Sequence, residues 1–332
     1  MREGMSLGAL LLVVACSSPA SPSDAGSGGI DAVSSPDTGT DGGRPSGTPR
    51  DGQVGMHDQF ACVRRSGGTV ECFSTQLASP QLAPLAGLTS VALLAPNARH
   101  AVLDDGTVVA LNPDAAMPVT PVSGLAGVAR FDNERVYWAV GTDGSVRWRG
   151  SSPTYAPVAG IAGATQGTTH GLVGCAVVAT GEVQCATFAG TLDFQGVEAI
   201  PGVAGAAQVE LGDLVGGVRL ADGHVQQVRR QAAWTVSEVT GISDAVDLAC
   251  ADRHCCALHT GGSVSCWGMN DHGQLGLGTT DMMMHPTPAA VAGVDAVVDV
   301  AVAQNGSVVV RADGVVMFWG VNGSAPQVVM SM

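Results

Sequence analysis

Nine cysteines, eight histidines and a run of three methionines are the residues of this chain best suited to chemistry. Three cysteine pairs share one spacing: Cys62/Cys72, Cys175/Cys185 and Cys256/Cys266 each stand ten residues apart around a glycine-containing turn. Facing Cα atoms in an antiparallel hairpin lie about 4.5–5.5 Å apart, within disulfide reach. Cys250 and Cys255 could then close a short loop. Cys250, Cys255, Cys256 and Cys266 could alternatively hold zinc. Disulfides are favoured because the ten-residue pair recurs where no extra ligands stand nearby, and because an exported chain meets an oxidising compartment. No metal is expected. His272 and His285 flank Met282–Met284, which reads as a flexible loop or as a copper site of Met and His. His254 is a candidate base or a structural histidine. Asp104 and Asp105 read as turn residues and not as an acid/base pair.

Other reaction centres are missing from the sequence. There is no Gly-x-Ser-x-Gly, no His-Glu-x-x-His and no Walker loop, and Gly276-Leu-Gly278 is not a dinucleotide fingerprint. All 15 basic residues are arginine, so a Schiff base or a P-loop lysine is impossible. The chain is therefore read as no enzyme, with no cofactor. A net charge of −14 argues against nucleic acid as a partner.

The N-terminus supplies an address. Met5 to Ala15 is an apolar run of a length that suits a signal peptide and is too short to span a bilayer. It ends in Val13-Val14-Ala15-Cys16, which resembles the lipobox of bacterial lipoproteins. That resemblance implies a signal peptide over 1–15, a lipid on Cys16, and the outer membrane or surface of a Gram-negative cell. An ordinary secretory signal is the other reading. Residues 16–52 are rich in Gly, Ser, Pro and Asp and read as a disordered tether, since they cannot bury enough apolar surface to offset ordering.

Residues 53–332 read as a single domain. A tight turn containing glycine recurs seven times, with its glycine at Gly68, Gly106, Gly144, Gly181, Gly223, Gly262 and Gly314, at a mean spacing of about 41 residues. Each turn lies between two β-rich runs, with a further β-like run upstream and a Pro-containing segment downstream. Four short antiparallel strands per period of about 40 predict an all-β, seven-bladed propeller. Its first inner strand would start at Val54, and its last outer strand would include Pro326 to Val329.

The sixth copy, Val246 to Gly278, contains Trp267-Gly-Met-Asn-Asp-His-Gly-Gln-Leu-Gly-Leu-Gly278, and Trp319-Gly320-Val-Asn322 repeats its start. This resembles the regulator of chromosome condensation repeat, and the resemblance implies a seven-bladed propeller. It also suggests that His254 occupies the family's structural histidine position. The family's founding role, nucleotide exchange on a nuclear GTPase, does not fit an exported acidic chain.

Propellers bind through the loops of one face. The candidate loops join each inner strand to the next: Asn97 and Arg99, Asp132, Asn133, Glu134 and Arg135, Glu210 to Asp213, and Asp252 with Arg253. The expectation is a monomeric cell-envelope lipoprotein that binds a protein partner and touches the membrane only through its lipid. The alternative is an inhibitor of an extracellular enzyme, since propellers of the family that the sixth copy resembles include β-lactamase-inhibiting proteins. A polysaccharide-directed hydrolase or lyase is a remote third reading.

Overall fold

The computed structural model describes residues 54–111, 119–190, 192–321 and 323–331. The leader, Cys16, the tether and Asn322 lie outside the described residues. The seven turn glycines all have positive φ, from +74° at Gly68 to +87° at Gly223, a conformation that costs glycine little and other residues more. A second demand falls on the same atoms. A Cβ on Gly262 would stand 2.9 Å from the Ala296 backbone, and one on Gly144 would stand 2.9 Å from Gly163. The turn of one blade thus presses on the chain entering the next.

Around these turns the chain builds seven antiparallel meanders, each in sequence order. Blade one holds β1 (Val54–Met56), β2 (Phe60–Arg64), β3 (Val70–Ser74) and β4 (Gln81–Pro84). Blade two holds β5 (Val91–Leu94), β6 (His100–Leu103), β7 (Val108–Ala110) and β8 (Thr120–Pro121). Blade three holds β9 (Val128–Asn133), β10 (Tyr137–Gly141), β11 (Val146–Arg149) and β12 (Ala156–Pro157). Blade four holds β13 (Ala164–His170), β14 (Val173–Val178), β15 (Val183–Phe188) and β16 (Phe194–Ala199). Blade five holds β17 (Ala206–Glu210), β18 (Gly216–Leu220), β19 (Val225–Arg230) and β20 (Trp234–Glu238). Blade six holds β21 (Ala245–Cys250), β22 (His254–His259), β23 (Val264–Asn270) and β24 (Asp281–Ala290). Blade seven holds β25 (Val297–Ala303), β26 (Gly306–Arg311), β27 (Val316–Gly320) and β28 (Gly323–Ser331).

Apolar side chains collect between blades, because a single meander cannot cover its own two faces. Among the described residues there are seven such clusters, one for each blade-to-blade contact. An open row of seven blades would have six. The seventh joins the ends of the described chain, with Val54, Met56, Val63 and Phe73 of blade one packed on Ala301, Val308, Phe318 and Val329 of blade seven. Outside it, β28 pairs with β4 in parallel, Met330 facing Gln81 and Ser331 facing Leu82. Closure leaves no inner sheet edge exposed to another chain.

The cysteines lie in facing register on adjacent strands. Cys62–Cys72 joins β2 to β3, Cys175–Cys185 joins β14 to β15, and Cys256–Cys266 joins β22 to β23. Cys250–Cys255 joins β21 to β22, so three strands of blade six are covalently linked. The same register holds Trp138 opposite Trp148 in blade three and Val308 opposite Phe318 in blade seven.

One expectation is corrected. Met282–Met284 do not form a loop: they open β24, the outer strand of blade six, with Met282 and Met283 strongly exposed. An outermost strand tolerates Pro286 and Pro288 because its far edge needs no amide donors.

Candidate functional site

Each inner strand ends at one face of the ring, where a short loop returns the chain to the second strand. Polar side chains just inside that face serve the ring itself. Inner strands of neighbouring blades are not paired, so their backbone groups need other partners. The Gln166 amide donates to Val209 O and accepts from Val209 N, both at 3.0 Å. Gln208 treats the Leu248 backbone alike, at 2.7 and 3.1 Å. Asp132 accepts from Thr169 N at 2.9 Å, and Asp299 accepts from Val54 N at 3.0 Å across the closing seam.

This arrangement corrects part of the sequence reading. Asp132, Asn133 and Glu210 are not loop residues: they end β9 and β17, and all three are buried. Glu210 accepts from Gln208 Nε2 at 3.1 Å. Burial holds the Asp132 carboxyl above its usual range, opposed by the hydrogen bonds from Thr169, Thr168 and Asn133.

The remaining loop residues do meet on the face. Asn97 donates to the carbonyl of Asn133 and to its Oδ1, linking blade two to blade three. Arg99 reaches His57 of blade one at 2.7 Å. Arg135 and Glu134 are exposed, and Glu134 accepts from Gly171 N of blade four. Leu214 N donates to Asp252 O at 2.7 Å, tying blade five to blade six, while Arg253 pairs with Asp271 at 2.7 Å.

The residue missed from sequence is His170, at the end of β13. Its Nε2 lies 2.8 Å from Asp213 Oδ1, and its Nδ1 lies 3.5 Å from Asp252 and 3.6 Å from Glu134. Burial, then the neighbouring Asp213, Glu134 and Asp58, push the Asp252 carboxyl up, with His170 opposing. One donor atom from each of His170, Asp213 and Asp252 falls within 4.8 Å of the others. The signal available was positional: His170-Gly171 occupies the fourth copy of the junction at which the other copies place acids and arginines.

One small cavity lies among the inner strands. Between Leu93, Leu94, Arg130, Phe131, Gln166 and Glu210 a cavity of about 20 Å³ remains, room for roughly one water. Ligand pockets are typically about 300–1,000 Å³. On the opposite face the hairpin acids cap their own turns: Asp105 and Asp143 accept from Thr107 N and Ser145 N at 2.8 and 2.9 Å.

His254 is placed where no substrate reaches it. It is fully buried, with Nε2 2.8 Å from Ser307 Oγ. Burial lowers its imidazole to about 3, slightly opposed by Asp271. Burial likewise lowers His100 to about 4, aided by Arg99 and Arg149 and opposed by its hydrogen bond with Asn133. Both groups bind a proton more readily unfolded than folded, so their contribution is complete above about pH 6.5 and is lost as pH falls toward 3–4. At pH 5 each costs about 2 kcal/mol. Urea midpoints should therefore fall between pH 7 and pH 5, with the raised Asp132 and Asp252 carboxyls acting in the opposite direction. A His100→Gln variant should show a shallower fall, and an unchanged slope would refute the assignment.

Comparison with known proteins agrees with this architecture. Residues 245–274 and 261–310 match two models of the regulator of chromosome condensation (RCC1) repeat. Yeast RCC1 (Prp20), in its crystal structure with Kap60, is similar at TM-score 0.55 and 11% identity, over 83% of this chain and 74% of that one. The β-propeller domain of Cps50 (Swd1) from Myceliophteria thermophila is similar at TM-score 0.54 and 11% identity, over 81% and 96%. YCF48 from Cyanidioschyzon merolae gives TM-score 0.52 at 9% identity, over 80% and 94%. The fold defines a β-propeller. This chain is a seven-bladed β-propeller in which residues 245–310 match the RCC1 repeat.

The repeat signature in blade six is explained by packing. The loop after β23 turns back so that Gln274 O accepts from Ser307 Oγ at 2.9 Å and from Trp319 Nε1 at 2.8 Å, both in blade seven. Asn270 donates to Thr279 O at 2.9 Å and accepts from Leu275 N at 3.3 Å, which holds the loop closed. These residues fasten one blade to the next.

Proposed function

We propose that this chain is a cell-envelope lipoprotein whose propeller binds a protein partner through the face formed by the inner-to-second-strand loops. The observation that carries the reading is that face: Arg99, Glu134, Arg135 and Asp213 stand exposed on loops fixed by contacts running from blade to blade. Rigid, mixed-charge loops suit recognition of a protein surface, since little ordering entropy is lost on binding. A similarly folded RCC1 propeller has been crystallised with Kap60. Envelope location is supported by the apolar leader ending at Cys16 and by four disulfides, which persist in oxidising compartments. No catalytic role is assigned to any residue.

Photo-cross-linking amino acids at Arg135 and Asp213, compared with the opposite-face positions Asp143 and Asp222, test this in intact cells. The reading expects a discrete adduct from the first pair alone. Adducts from the hairpin-turn positions only would contradict it. Labelled palmitate incorporation that survives Cys16→Ser would overturn the anchor.

A further inference from the structure

His170 is an unusual element of the loop face. Four blades meet around the His170 ring: Glu134 from blade three and Asp252 from six at Nδ1, and Asp213 from five at Nε2, with His170 itself from four. Three carboxylates around one imidazole leave the cluster negative whether or not the ring is protonated. Arg253, beside Asp252, is turned to Asp271 instead. A further carboxylate of the same loop face, Asp58, has a buried Oδ1 with no hydrogen-bond partner.

The spacing around Nδ1 is close to that between neighbouring ligands of one ion. Four-coordinate zinc takes nitrogen and carboxylate donors at roughly 2.0–2.2 Å, which sets neighbouring donors roughly 3.4 Å apart. The carboxylate oxygens of Asp252 and Glu134 lie 3.5 and 3.6 Å from His170 Nδ1, and those of Asp213 lie closer, at 2.8 Å from Nε2. Asp252 and Glu134 face Nδ1 and Asp213 faces Nε2, so an ion would take one ring nitrogen with the oxygens turned toward it; one donor atom from each of His170, Asp213 and Asp252 already lies within 4.8 Å of the others.

We propose that His170, Asp213 and Asp252, with Glu134 as a fourth donor, form a binding site for a divalent transition ion of the zinc class. The imidazole sets the class, since sites built from oxygen alone favour calcium or magnesium, whereas imidazole suits zinc, nickel and copper. The bound ion would relieve the mutual repulsion of the carboxylates and fasten four blades at the loop face. The site shares Glu134 and Asp213 with the proposed partner face, but its test is separate, because zinc binding is measured on the isolated protein.

The test is calorimetric titration of the purified, untagged, chelator-stripped chain with zinc chloride, with calcium chloride as the oxygen-donor control. One zinc ion per chain should bind in the micromolar range or tighter, with a rise in melting temperature that EDTA reverses. His170→Ala and Asp213→Asn should each weaken zinc at least about tenfold. Asp213 is largely exposed, so its variant folds even if the His170 variant does not. His285→Ala, which removes the separate His285–Asp281 pair, should leave binding unchanged. Absence of zinc binding at 100-fold excess over about 1 μM protein would overturn the proposal. So would zinc binding that neither His170→Ala nor Asp213→Asn weakens, or calcium binding that matches zinc.

Discussion

Refolded with its disulfides reduced, the chain should lose most of its stability. Three of the four bridges close loops of ten residues and the fourth a loop of five. On the chain-entropy model each ten-residue bridge contributes about 2.7 kcal/mol and the shorter one about 2. Together they reach about 10 kcal/mol, comparable with the whole stability of an ordinary domain. Because seven of the eight bridged cysteines are buried, reductant added to the folded protein should act slowly. The experiment therefore requires reduction in denaturant, then refolding with and without oxidant and comparison of urea midpoints. Replacement of Cys175 and Cys185 by alanine should cost roughly 2–3 kcal/mol alone. A reduced chain with an unchanged midpoint would show that the ring does not depend on its bridges.

Trp319→Ala is the single substitution expected to cost most, about 3–5 kcal/mol. The indole is fully buried between blades six and seven, packed with Leu275, Val291 and Val309. Its Nε1–H also satisfies Gln274 O, and Gly276 lies so close that a Cβ there would stand 3.0 Å from that nitrogen. Truncation opens a cavity at one interface of the ring and removes a donor together. Trp319→Phe keeps most of the volume and loses the hydrogen bond, so it should cost about 1–2 kcal/mol, with Ser307 still donating to the carbonyl. Equal costs for the two variants would place the effect in the hydrogen bond and not in packing. Denaturant unfolding followed by far-ultraviolet circular dichroism measures both.

What could be read in the sequence was local in the chain. The turn glycines, the ten-residue cysteine pairs and the Trp138/Trp148 pair all lie within one hairpin, where spacing alone fixes who faces whom. Contacts between blades left no such mark. Gln166 and Gln208 reach backbone groups 43 and 40 residues away, and nothing beside either residue signals that its amide stands in for a strand partner. Asp132 and Glu210 looked like loop acids because charge suggests exposure, yet the last residues of an inner strand turn into the ring. His170 escaped notice because its copy of the junction lacks the acid-and-arginine pattern that drew attention elsewhere. Met282–Met284 looked like a loop because three methionines and two prolines break the alternation of a half-buried strand, a rule that an outermost strand need not obey.

Closure of the ring is the claim on which the loop face, and anything bound there, depends. Native-state hydrogen exchange measures it directly, by comparing amides in β2 and β26 at the seam with those in β14 and β18 across the ring. If blade one is packed on blade seven, the protected amides of all four strands exchange through one opening, with free energies within about 1 kcal/mol. Protection that declines stepwise toward blades one and seven would be the behaviour of an open row of repeats, and would contradict the account.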